Sequence, residues 1–299
     1  MPFRAVTRFR LARAAFAVVL AAGVAAVAAV AGSAAAAPAR PAASPRARPA
    51  ASPRARPAPP PAVRYVALGD SYASGVGAGD YYGSSGSCER SPEAYPARWA
   101  AAHHPASYAS AACAQATAGS VISGQLAALG PATTLVSITI GGNDAGFVPV
   151  MTTCVLLPTS ICEAAVNAAE QEIRAVLPGR LDQVLAAISA RVPRARVVVV
   201  GYPDPYDMSR SSSCPGLSTT DRTRLDQAAD QLDGQLRAAA GRHGDVFADV
   251  RPAFAGHEIC DPGRWLNAVD WPDLGASYHP TAAGQAAYAR VLGAGAANG

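Results

Sequence analysis

Four short blocks of this 299-residue chain carry groups able to run acyl transfer, and they lie far apart in sequence. They are Gly69-Asp70-Ser71, Thr117-Ala118-Gly119-Ser120, Gly142-Asn143-Asp144 and His279-Pro280. A serine hydroxyl is a weak nucleophile. It needs a base within hydrogen-bond reach and N–H donors where negative charge collects on the carbonyl oxygen. Ser71 follows a β-prone apolar run, so it stands where a strand turns and its hydroxyl can face a crevice. In isolation a Gly-Asp-Ser at such a place more commonly marks a turn or a helix cap.

The base must come from five histidines. His103 and His104 sit in a polar turn before Pro105, and His243 follows Arg242 at a helix end; all three read as surface residues. His257 lies near Cys260 and fits a loop. His279 precedes Pro280-Thr281-Ala282-Ala283-Gly284, which places it at the entrance of the last helix with the proline fixing the backbone. Asn143 offers a side-chain amide beside two glycines that let backbone approach closely. Gly119 can expose its N–H in a similar way. Taken singly, each also fits an ordinary turn residue.

The elements that must position these groups alternate. Residues 63–68, 107–112, 134–140, 196–201 and 246–250 read as strands, most of them short apolar runs. Residues 95–102, 161–192 (interrupted near Pro178-Gly179), 221–242 and 281–292 read as helices. In the third of these, Leu225, Ala228, Ala229, Leu232 and Leu236 form one apolar stripe. Strands apolar on both faces, alternating with helices, predict a parallel sheet covered on both sides. Ligands then bind beyond the carboxyl ends of the strands, which is where Ser71 and Asn143 stand.

In this order along an α/β chain, the four blocks resemble the SGNH hydrolases, also called GDSL esterases and lipases. The resemblance runs from about Tyr65 to Leu292. The six cysteines and Ser277-Tyr278-His279-Pro280 look most like the actinobacterial extracellular lipase branch. It implies a three-layer sandwich with a central, mostly parallel sheet of about five strands flanked by helices, SGNH/flavodoxin-like. Ser71 would be the nucleophile and His279 the base and then the acid. The N–H groups of Ser71 and Gly119 and the amide of Asn143 would form the oxyanion hole. The reaction would be carboxylic ester hydrolysis with no metal and no organic cofactor.

The chain departs from the family at one point. The aspartate commonly found three residues before the histidine is replaced by Ala276. The resemblance to the secreted branch implies a backbone carbonyl, that of Ser277 or a near neighbour, as the group orienting His279, and hence a Ser–His dyad. Asp270 and Asp273 remain as substitutes if the loop folds back.

Composition divides the chain. Residues 1–37 read as a signal peptide: Arg4, Arg8, Arg10 and Arg13, then an apolar run to Ala31 and a small-residue segment. Residues 38–62 read as a Pro/Arg/Ala-rich linker in which Arg40-Pro41-Ala42-Ala43-Ser44-Pro45-Arg46-Ala47 recurs at 48–55, an extended spacer. Residues 63–299 form the hydrolase domain, long enough to bury a substantial core. All 25 basic residues are arginine, and ten lie in residues 1–64, which hold no acid. The remainder carries 15 arginines against 21 acids, so nucleic-acid binding by the folded part is not indicated.

Six cysteines behind a signal peptide read as disulfides, for which 15 pairings exist. Their order favours neighbours, Cys88–Cys113, Cys154–Cys162 and Cys214–Cys260, which keeps the closed loops local. The expected protein is a secreted, extracellular monomer that meets an ester or lipid substrate, with transient contact to a lipid interface. Its substrates are expected to be esters of fatty acyl chains, the apolar Phe147-Val148-Pro149-Val150-Met151 fitting either an acyl groove or a helix core. A phospholipase A1-type activity needs the same machinery. A polysaccharide O-acetyl esterase is kept open by Trp265 and Trp271, and a cell-surface binding module by the linker.

Overall fold

The computed structural model describes residues 62–214 and 216–297; the expected signal peptide and nearly all of the expected linker lie outside them. Five strands form one parallel sheet: β1 (Arg64–Gly69), β2 (Ser107–Ser110), β3 (Leu135–Thr139), β4 (Arg196–Val200) and β5 (Val246–Ala248). Their spatial order is β2-β1-β3-β4-β5, and every neighbouring pair is parallel. Every residue of β3, and all but the first of β1 and β4, is buried. This is what β-branched and aliphatic runs do when both faces are covered. Burial of one such Val or Leu side chain contributes about 1.5–3 kcal/mol. β2 is one of the two edge strands and stays largely exposed.

Among the described residues the helices are α1 (Ser71–Ser74), α2 (Tyr95–His103), α3 (Ala118–Ser123), α4 (Phe147–Leu156) and α5 (Thr159–Ala175). They continue with α6 (Leu177–Arg191), α7 (Thr219–His243), α8 (Arg251–Phe254) and α9 (Ala282–Ala297). α2 packs on α9, while α3, α6 and α7 pack in series with α5 against α7. Together they make the expected three-layer α/β sandwich. The 161–192 helical stretch is two helices, broken at Val176 just before Leu177-Pro178. The proline occupies the first turn of α6, where its missing N–H costs nothing.

The end of β1 is held tightly. Gly69 has φ +127°, and a Cβ there would sit 2.3 Å from the Thr139 carbonyl oxygen, so only glycine allows β1 and β3 to close this far. The buried Gln125 side chain accepts from Gly69 N–H at 2.7 Å and donates to its carbonyl at 2.8 Å. The residue that follows, Asp70, donates its own N–H to the Thr139 carbonyl at 2.9 Å. The strand ends bearing Ser71 and Asn143 are therefore side by side. The cysteines are joined as Cys88–Cys113, Cys154–Cys162 and Cys214–Cys260.

Candidate active site

Ser71 opens α1, capped by Asp70, whose Oδ1 accepts the Tyr72 N–H at 3.0 Å. The cap turns the chain directly after β1 and leaves the Ser71 hydroxyl half-buried at the sheet's carboxyl edge. From the other end of the chain comes His279, whose Nε2 lies 2.7 Å from Ser71 Oγ. Its Nδ1 lies 3.0 Å from the Ser277 carbonyl oxygen. A carbonyl can only accept, so Nδ1 carries the proton and Nε2 is left to receive the serine's.

Local backbone geometry makes that carbonyl available. Tyr278 has φ +61°, a left-handed conformation that costs a side-chain-bearing residue about 1–2 kcal/mol. It turns the chain so that the carbonyl two residues before the ring faces it. The turn is fixed on three sides. Tyr278 N–H donates to the Asn267 carbonyl at 2.9 Å, its carbonyl accepts from the Tyr72 hydroxyl at 2.6 Å, and its hydroxyl accepts from Tyr206 at 3.0 Å. Asp273 accepts from Ala276 N–H at 3.3 Å rather than from the histidine. No carboxylate among the described residues is hydrogen-bonded to His279.

The electrostatics follow from burial. His279 is 7% exposed, and desolvation pulls its pKa down to about 4 despite the Ser277 and Gly275 carbonyls and the charge of Asp273, which act the other way. Asp70 is pushed up to about 7 by burial, against the Tyr202 hydroxyl and Tyr72 N–H that favour its ionised form.

Asn143 follows Gly141, at φ +118°, in the turn after β3. Its Nδ2 donates to the Ala116 carbonyl at 3.0 Å, and the residue lines both cavities together with Ser71. Asp144 works on structure: its Oδ2 accepts the Ala118 N–H at 2.9 Å at the start of α3.

Gly119 is not where the sequence reading put it. Thr117 and Ser120 form a capping box that opens α3, so Gly119 sits in that helix's first turn, exposed and outside both cavities that meet at Ser71. Of the residues just before it, Ala114 and Gln115 line the cleft. Gln115 holds φ +63°, and its backbone N–H has no partner among the described residues. Cys113, two residues earlier, is bonded to Cys88, and Ala114 N–H donates to the Cys88 carbonyl at 3.1 Å. The cross-link holds Gln115 in a conformation that glutamine seldom takes unaided. A glycine at position 115 would have pointed to it; glutamine gave no such signal.

Two cavities meet at Ser71, Asn143, Phe147, Met151 and Tyr278. The inner one, about 90 Å³, runs between α4, α5 and α7 and is walled by Ile173, Leu225, Ala228, Ala229 and Leu232. The outer one, about 290 Å³, opens past His279 to Val148, Leu156, Trp271 and Leu274. Those four rim residues are 50–64% exposed. The other four histidines are elsewhere: His103 stacks on Trp99 and His257 on Trp265, His243 pairs with Asp182, and His104 is an exposed helix cap. Among the described residues no group of three or more His, Cys, Asp or Glu is placed to hold a metal ion.

The chain is similar to named lipases at high identity. Lipase 1 of Streptomyces coelicolor is 53% identical over 221 residues, 74% of this chain and 82% of that one. A lipase of Streptomyces rimosus is 50% identical over 224 residues, 75% and 83% of the two chains. Among solved structures, phospholipase A1 from Streptomyces albidoflavus NA297 superposes with a TM-score of 0.76 at 49% identity, covering 78% of this chain and all but 1% of that one. The extracellular lipase from Streptomyces rimosus gives 0.75 at 48% identity, over 78% of this chain and 100% of that one. Residues 67–287 match the family model of the GDSL-like lipases and acylhydrolases, and the chain belongs to that family.

Proposed function

We propose that Ser71 and His279 are the catalytic dyad of this ester-hydrolysing lipase. The observation that carries the assignment is the 2.7 Å contact between Ser71 Oγ and His279 Nε2 where two apolar cavities meet. Nε2 takes the hydroxyl proton as Oγ attacks the ester carbonyl. The N–H groups of Ser71 and Gln115 and the Asn143 amide hold the oxyanion, each donor contributing up to roughly 3–4 kcal/mol. His279 then returns the proton to the leaving alcohol, and water releases the acid by the same route. The Ser277 carbonyl fixes the tautomer throughout, a role an aspartate often fills.

The substrates are esters of fatty acyl chains, since the inner cavity offers an apolar acyl chain a wall of Leu, Ile and Ala side chains. The outer cavity has room for a second chain or a glycerol moiety, which supports phospholipid sn-1 esters as a second reading, as the Streptomyces albidoflavus relative's name suggests. Trp265 is already stacked on His257 at 3.6 Å, so it offers a sugar no free face on that side. The apolar rim suits brief docking on a lipid surface. The leader at 1–37 exports the chain, and 38–62 tethers the domain.

A fluorophosphonate probe and an ester series from acetyl to long-chain acyl, phosphatidylcholine included, test this. Ser71 should carry the adduct, Ser71→Ala should carry none, and long acyl chains should be preferred. A folded protein without a Ser71 adduct removes the dyad; a preference for acetylated sugars over every acyl chain removes the substrate assignment.

A further inference from the structure

Tyr202 follows β4 and is buried behind the nucleophile, with its hydroxyl engaged on both sides. It donates to Asp70 Oδ2, in the turn that presents Ser71, and accepts the N–H of Gly142 at 3.2 Å, in the turn that presents Asn143. We propose that Tyr202 is a positioning residue, its single hydroxyl tying the Ser71 turn to the Asn143 turn and so setting the spacing of the oxyanion donors. This rests on the assignment of the Asn143 amide as one of those donors.

The surroundings are built to hold that hydroxyl still. The main-chain N–H of Tyr202 donates to Oδ1 of the fully buried Asp233 at 2.8 Å, and Arg251 Nε lies 3.5 Å from Oδ2 of the same carboxylate. Any Cβ on Gly201 would come within 2.4 Å of Asp233, so glycine is what lets the carboxylate reach the backbone here. A Cβ on Gly142 would sit 3.3 Å from the Tyr202 hydroxyl, so glycine there leaves the hydroxyl its approach. The ring packs edge-on against Tyr72 at 4.9 Å, and the Tyr72 hydroxyl holds the carbonyl just before His279. β1 and β3 make their last main-chain bond at Asp70 N–H to the Thr139 carbonyl. Past that point the two turns diverge, and the Tyr202 hydroxyl continues the connection. Donors aimed at developing charge lose their effect when they are displaced by a fraction of an ångström to an ångström.

The test is a double-mutant cycle of Tyr202→Phe with Asn143→Ala in the full chain, read as kcat and KM on a soluble short-chain ester. Tyr202→Phe keeps the ring and should lower kcat by about 10- to 100-fold with KM within about twofold. In the Asn143→Ala background the same substitution should cost less than about twofold, because the donor it positions is gone. Equal losses in both backgrounds would show general support of the fold and overturn the inference, leaving the oxyanion assignment standing. An Asn143→Ala protein as fast as the parent would remove that assignment and the inference with it. If Tyr202→Phe does not fold, Asp70→Asn weakens the same hydroxyl's anchor while keeping an acceptor for Tyr72 N–H, and the cycle is read on it by the same criteria.

Discussion

A histidine partnered by a carbonyl and buried should stay neutral far into acid, and the rate should report it. The general base must be unprotonated, so kcat/KM of the free enzyme falls on the acid side through the pKa of His279. Burial sets that pKa at about 4. At pH 5 about 90% of the enzyme is then competent, against about 3% for a histidine at the ordinary value of about 6.5, a difference of about thirtyfold. The groups facing His279 do not reverse this. Tyr72 and Phe147 present rings, Ser71 a hydroxyl, and Asp273 only a charge at longer range. Asp70 titrates separately, at about 7.

The fold must survive the acid range for the measurement to mean anything. His279 binds fewer protons folded than unfolded, so its stability contribution is present above pH 6.5 and lost as pH falls through about 4. That loss is about 3 kcal/mol at about 1.4 kcal/mol per pH unit. Asp70 and Asp233 act in the opposite sense: burial raises both to about 7, so their contribution is full below 3.8 and is lost as pH rises through 7. Acidification from pH 6.5 to 4 therefore costs through the histidine and gains through the two carboxylates. The assay is kcat/KM on ethyl butyrate from pH 3.5 to 8, with the acid product quantified directly and reversibility checked by return to neutral pH. An acid limb centred between 6 and 7 would refute the reasoning and imply a carboxylate partner. Asp273→Asn and Asp270→Asn would then reveal it, by moving the limb down or by collapsing kcat.

Two further outcomes follow from the site. Gln115→Gly should keep kcat within a few-fold, because the backbone N–H remains. It should also raise stability by about 1 kcal/mol in urea unfolding, because the left-handed φ of +63° no longer strains a side chain. Replacing Trp271 and Leu274 by serine should leave hydrolysis of a soluble short-chain ester unchanged. Activity on phosphatidylcholine vesicles should fall about tenfold or more, since two exposed apolar side chains of roughly 2 kcal/mol each would no longer enter the lipid surface.

The three central strands, β1, β3 and β4, could be read from sequence because an apolar run buried on both faces has few alternative homes; the edge strands β2 and β5 were read on weaker, shorter runs. Ser71 and Asn143 were legible for a related reason: polar groups at the ends of such runs converge at one edge of a parallel sheet. His279, at the entrance of α9, was legible only through the resemblance of the four ordered blocks to the family. The third donor of the proposed oxyanion hole was not legible, since it depends on a backbone angle. Gly119 carries the residue type that suggests free backbone, yet the Thr117–Ser120 capping box places it in α3. Gln115, held by its neighbour's disulfide, takes the conformation glycine would. The apolar stripe of α7 was legible, but its second use was not. Leu225, Ala228, Ala229 and Leu232 have the spacing of a core-facing stripe, and periodicity says only that they leave water. Leu225 and Leu232 belong to the core, Ala228 packs against it, and all four also border a cavity shared with Phe147 and Met151 of α4. Hydrophobic pattern reports what is withdrawn from solvent, and a site for an apolar chain is withdrawn in just that sense. A lipase's acyl pocket is therefore written in the same residues as its core, and only the packing distinguishes them.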